Sequence, residues 1–135
     1  MPHLYDPFVR AVHTLDADVL EAALAPDVRF FSPVVFSVYE GRDLVKTIIA
    51  EGAMKVFEDF SYVHKLEDAD DRTAALIFKA RVGERALDGL DLLSFDEAGL
   101  IREMKVMIRP MSGLNALAEA MAKRFEVLGI TPPKS

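Results

Sequence analysis

The sequence predicts a single α+β domain. A strongly curved, mostly antiparallel sheet carries three helices from the N-terminal half over its concave face, and an extra helix follows at the C-terminus. Three observations predict it. Apolar residues recur at helical spacing through the first third of the chain and again after Pro110. Between residues 60 and 109 the period changes to alternation, in four runs separated by turn residues. Helices first and a meander afterwards is the α+β order. The chain's 135 residues are one domain's worth, enough to bury a core without staples. We therefore expect one domain over 1–135, with 1–5 and 130–135 as flexible ends.

Asp6-Pro7 reads as a helix start, a capping oxygen followed by proline at the first helical position. Phe8, Ala11, Val12 and Leu15 then share one face. Asp16 is placed to cap a second helix carrying Val19, Leu20, Ala23 and Leu24, which Pro26 stops. A short strand follows over 28–32, and Pro33 separates it from another over 36–39. Gly41 opens the third helix, with Leu44, Val45, Ile48 and Ile49 on its apolar face, ending near Gly52 or a turn later. The four strand runs are 60–66, 73–82, 86–95 and 101–109, with Gly83-Glu84 and Asp96-Glu97-Ala98-Gly99 among the turns. Ser112 is expected to cap the last helix, whose stripe is Leu114, Leu117, Met121, Phe125 and Leu128, and Gly129 to end it. Pro132-Pro133 begins a frayed tail.

Composition excludes several functions. With no cysteine there is no disulfide scaffold and no thiol chemistry, which favours a reducing, cytoplasmic setting. The start MPHLYDPFVR lacks the pattern of a signal peptide, and no apolar run reaches the roughly 20 residues of a spanning helix. A net charge of −6 with dispersed Lys and Arg disfavours nucleic acid. His3, His13 and His64 show no metal spacing, and no phosphate loop or nucleophile elbow is present. No metal and no cofactor are expected.

Alternation assigns the faces. Leu76, Phe78, Ala80 and Val82 oppose Ile77, Lys79 and Arg81; Met104, Val106 and Ile108 oppose Glu103, Lys105, Met107 and Arg109. The charged faces are convex. In 86–95, Leu87, Gly89, Asp91 and Leu93 share the concave side. Leu90, Leu92 and Met107 on the convex side point to a homodimer surface.

Three stretches carry a resemblance: Leu24-Ala25-Pro26-Asp27-Val28-Arg29-Phe30, Gly41-Arg42-Asp43-Leu44, and Ala86-Leu87-Asp88-Gly89-Leu90-Asp91-Leu92-Leu93-Ser94-Phe95-Asp96-Glu97-Ala98-Gly99-Leu100-Ile101. Through them nearly the whole chain resembles the nuclear transport factor 2-like superfamily, in its SnoaL-like and ketosteroid isomerase-like branch. The resemblance implies a cone-shaped α+β barrel. It specifies a reaction poorly, because the superfamily hosts isomerases, cyclases, epoxide hydrolases and non-catalytic binders. Carried over by motif, the isomerases' oxyanion-hole aspartic acid falls on Asp91. Their base aspartate falls on Ser32 before Pro33, their first-helix tyrosine on Phe8, and a supporting tyrosine near Ile49. A serine does not take a proton from carbon at neutral pH. The catalytic acid of the SnoaL cyclases falls on Arg109, and Lys79 and Arg81 have no carboxylate beside them to form an epoxide hydrolase set.

Asp91 is thus the leading candidate: an acid among apolar neighbours, whose burial raises its pKa and lets it donate a hydrogen bond while neutral. Tyr62 and His64, on one strand face with Phe60 and Leu66, are its expected polar partners. The expected ligand-binding residues are Phe8, Ser32, Ile48, Ile49, Phe78, Leu87, Gly89, Leu93, Met104, Val106 and Ile108. Two functions follow. One is an enzyme acting on a small hydrophobic metabolite (steroid-, terpene- or polyketide-like) through Asp91 as isomerase, cyclase or hydrolase. The other is a non-catalytic binding or dimeric interaction module that has lost the catalytic set.

Overall fold

The computed structural model describes residues 2–131, so the tail expected at Pro132-Pro133 lies outside the described residues. α1 (Asp6–Thr14) and α2 (Ala17–Ala23) meet at Leu15, whose left-handed φ of 53° turns the chain. Asp16 caps α2 by accepting from the backbone N–H groups of Asp18 and Val19 at 2.9 and 3.2 Å. The cap of α1 is Tyr5, not Asp6. Tyr5 is buried in the core and draws the helix start forward, leaving the Asp6 carboxylate to accept from the His3 N–H at 2.8 Å.

β1 (Leu24–Phe31) begins directly where α2 ends. Pro26 therefore does not stop the helix; it sits exposed inside the strand, where pairing shifts between Leu24 and Arg29. A residue without an N–H is tolerated at such an irregularity. The second strand shrinks to β2 (Tyr39–Glu40), because the buried Tyr39 sets its place while Phe36 is 93% exposed. α3 (Arg42–Thr47) continues through a π-helical turn (Ile48–Ala53) into α4 (Met54–Val56), a turn beyond Gly52.

β3 (Glu58–Asp68), β4 (Thr73–Val82), β5 (Arg85–Phe95) and β6 (Ile101–Arg109) form the antiparallel meander. The sheet order is β2-β1-β6-β5-β4-β3, with only the β1–β6 pair parallel. α5 (Met111–Leu128) starts after Pro110 with no side-chain cap, so Ser112 is already helical; Gly129 closes it in the left-handed region. Leu20, Val28, Val45, Ile48, Leu76 and Leu93 fill the space between helices and concave face, each contributing roughly 2 kcal/mol by burial. Phe78, Ala80, Leu87 and Leu117 form a second cluster under α5.

The Leu4 N–H donates to Glu67 at 2.6 Å, and Ile130 packs on the core. Among the described residues no helix is long and apolar enough to cross a membrane.

Candidate functional site

Strand register builds the site in rungs across the concave face. One rung runs Tyr62, Phe78, Gly89, Ile108 and the next runs Leu76, Asp91, Val106. Gly89 is required here: a Cβ on it would overlap the Phe78 ring, which lies flat across that gap. Phe60 stacks on Phe78 at 4.7 Å between centroids, Phe57 meets Phe78 edge-on at 5.6 Å, and Tyr62 stands edge-on to Phe60 at 5.0 Å. This aromatic wall holds the Tyr62 side chain inward.

Between the wall, the helices and β6 is a cavity of about 420 Å³, in the range of small-molecule sites. α1 supplies Phe8, Val12 and His13; the π-turn supplies Ile48, Ile49 and Ala53; β6 supplies Met104 and Val106. α5 roofs it with Leu117, Met121 and Phe125, and residues 32–35 form part of its rim. α5 is held over the π-turn by the Arg124 guanidinium, which donates to the Glu51 carbonyl at 2.9 Å. Turns of this kind recur at functional sites, where they re-aim side chains.

Asp91 and Tyr62 both stand in this mainly apolar space, and among the described residues neither has a side-chain hydrogen-bond partner. Asp91 is 5% exposed and makes no hydrogen bond or ion pair among the described residues. Burial alone pushes its carboxyl up from 3.8 to about 7, since a charge in low dielectric is disfavoured. The Tyr62 hydroxyl is buried and unpartnered. Its pKa is raised, first by burial and then by the charge of Asp91, so the two groups lie within electrostatic reach of one another. An unsatisfied buried donor is costly, and two together make a ready site for an acceptor oxygen.

The structure brings Asp91, Tyr62, Phe8, Ser32, Ile48, Ile49, Phe78, Met104 and Val106 to the cavity. It does not bring His64. Pairing slips between Tyr62 and His64, so His64 pairs with Ile77 and turns to the convex face, and Leu66 follows it outward. A bulge at Val63 reverses the parity that alternation assumes. Gly89 lies behind the Phe78 ring. Leu93 is fully buried in the main core; Leu87 and Ile108 belong to the cluster under α5. The Ser32 hydroxyl accepts from the Val34 N–H at 3.0 Å and shapes the rim. Arg109, outside the cavity, donates to Asp88 at 2.7 Å.

The sequence reading missed His13. His13 lies off the apolar stripe of α1 and reaches the cavity because the helix ends at its mouth. No pattern in the sequence marks that. Among the described residues no group of three His, Asp or Glu side chains is placed to hold a metal.

Fold and site together define a cone-shaped α+β pocket protein with an acid at the base of an apolar cavity. No protein-family model matches the chain, and no curated protein does. Solved structures match it closely. A steroid delta-isomerase from Pseudomonas aeruginosa superposes with a TM-score of 0.87 at 40% identity, over 93% of this chain and 90% of that one. An uncharacterized bacterial protein with a cystatin-like fold from Silicibacter pomeroyi gives 0.82 at 32% identity, over 90% and 86%. An epoxide hydrolase/cyclase-like enzyme of pyran ring formation in the polyether salinomycin shares the fold at 18% identity, with a TM-score of 0.65 over 82% and 90%. The chain belongs to the nuclear transport factor 2-like superfamily, among its SnoaL-like and ketosteroid isomerase-like proteins.

Proposed function

We propose that the cavity binds a small apolar ring ketone, whose oxygen accepts hydrogen bonds from the neutral Asp91 carboxylic acid and the Tyr62 hydroxyl. The observation that carries this reading is the Asp91 carboxyl and the Tyr62 hydroxyl, buried and without a hydrogen-bond partner among the described residues, in mainly apolar walls. Donors preorganised in a dry site stabilise the negative charge that grows on a carbonyl oxygen during enolisation. The chemistry is thus that of an isomerase, and the similarity to a steroid delta-isomerase supports it.

The test uses 2-tetralone, a bicyclic ketone, titrated by calorimetry against wild type and Asp91→Asn at several pH values. Wild type is expected to bind below pH 7 and to lose affinity, up to tenfold per pH unit, as Asp91 ionises above about 7. The Asn variant keeps a neutral donor and is expected to bind with little pH dependence. Equal wild-type affinity at pH 6 and pH 9, or no binding at all, would remove the carbonyl reading.

We propose further that two copies associate through the convex face of the sheet. Two of its rungs, Met107-Leu90-Ile77-His64 and Phe31-Lys105-Leu92-Ala75-Leu66, are mainly apolar. Met107 and Leu66 on them are 49% and 59% exposed in the single chain.

A further inference from the structure

Stabilising an enolate requires that something first take the proton from carbon. Ser32 does not supply that base, and its hydroxyl is already committed to the rim turn. Among the residues lining the cavity, the side-chain types able to accept a proton near neutral pH are one carboxyl, Asp91, and one imidazole, His13. Asp91 is engaged as a donor in the reading above, on which this inference rests.

His13 stands in the last turn of α1, at the mouth of the cavity. Its ring lies 5.8 Å from the Tyr62 ring between centroids, tilted by 48°. It makes no hydrogen bond or ion pair among the described residues, so nothing in the chain occupies its nitrogens. It therefore flanks the residue whose hydroxyl, with Asp91, faces the carbonyl oxygen. An α-carbon lies only two bonds from that oxygen.

We propose that His13 is the base that removes a proton from the carbon next to the ligand's carbonyl. The C–H bond breaks and its proton passes to an imidazole nitrogen. The electron pair shifts into the C–C bond as the carbonyl becomes an enolate, whose oxygen is held by Asp91 and Tyr62. Return of the proton to the same carbon, or to the far end of a conjugated system, restores the neutral imidazole. Return at the far end moves a double bond. The substrate class is then a ring ketone with an acidic α-hydrogen, and no redox partner or cofactor takes part.

The experiment is exchange of the C1 hydrogens of 2-tetralone in D2O, followed by proton NMR, with affinity measured in parallel. Wild type is expected to accelerate exchange above the buffer rate. His13→Gln is expected to bind 2-tetralone as wild type does and to lose about 100-fold or more of the acceleration. In His13→Ala, added imidazole should restore part of the rate, which a structural role would not allow. His13 is exposed, so the variants do not disturb the core. Wild-type exchange in His13→Gln, or binding by wild type without exchange, would overturn the assignment and leave the carbonyl site standing. Absence of any 2-tetralone binding by wild type would instead remove the site and the base together.

Discussion

A carboxyl kept without a partner in an apolar cavity ties the stability of the whole fold to pH through one side chain. Unfolded, the Asp91 carboxyl titrates near its ordinary 3.8; folded, burial holds it near 7. Below about pH 4 both states carry the proton and the site is neutral. Between there and about 7 the unfolded chain releases its proton while the folded chain keeps it, so stability falls as pH rises, and above 7 the loss is complete. The gap from 3.8 to about 7 corresponds to about 4 kcal/mol at most. Asp91→Asn removes this pH dependence. Urea midpoints of wild type and variant should converge near pH 4 and separate by pH 8, with the variant the more stable. Parallel curves across that range would mean that Asp91 is solvated or paired. Asp91 was legible from sequence because an acid on an alternating apolar face is a contradiction that periodicity exposes. His64 was misplaced for a complementary reason: one unpaired residue at Val63 reverses every face after it, and no residue type there announces it.

The elements that carry the cavity were legible where period and capping act locally, and illegible where tertiary packing decides. The bounds of β4 and β6 follow from alternation alone, and the capping of α2 follows from an aspartate standing just before its apolar face. The π-turn at 48–53, the short β2 and the shift at Pro26 depend on what packs against them. The rung from Tyr62 to Gly89 shows how one such contact sets function. Phe78 occupies the volume a side chain at Gly89 would take, and by lying flat there it leaves the space beside Asp91 open. Gly89→Ala forces the ring off the sheet, where Phe57 and Phe60 block retreat in two directions. Overpacking of this kind costs about 1–3 kcal/mol, and the ring's remaining direction is into the cavity. The variant is expected to show a lowered urea midpoint together with weakened 2-tetralone binding. A variant as stable as wild type, with unaltered affinity, would show that the ring has room to move and that Gly89 does not set the cavity.

At the scale of the whole molecule, the two faces of one sheet divide the work. The concave face encloses the cavity, while the convex face is banded. Its two mainly apolar rungs lie between a rung of Glu40, Arg29, Glu103, Ser94 and Thr73 and a rung of Arg109, Asp88, Lys79 and Ser61. Ion pairs run within both flanking rungs, Arg29 with Glu40 and Glu103 at 3.7 and 3.4 Å, and Arg109 with Asp88 at 2.7 Å. An apolar centre with a charged, solvated margin is the anatomy of a protein interface, and a patch of this kind is rarely left open on a monomer. Because both copies present the same surface, a two-fold axis through the band places apolar rungs against one another and margins against margins. Such a contact would also explain why Leu90 and Leu92, on the outer side of the sheet, are leucines rather than charges. The test is Leu92→Glu, which places a charge at the centre of the band without touching the cavity. In sedimentation velocity at micromolar concentration, wild type is expected at twice the 15.0 kDa chain mass and the variant at the chain mass, with the far-ultraviolet circular dichroism of both alike. A wild type that sediments as a single chain would sink the dimer, and a variant that still pairs would move the interface elsewhere on the surface.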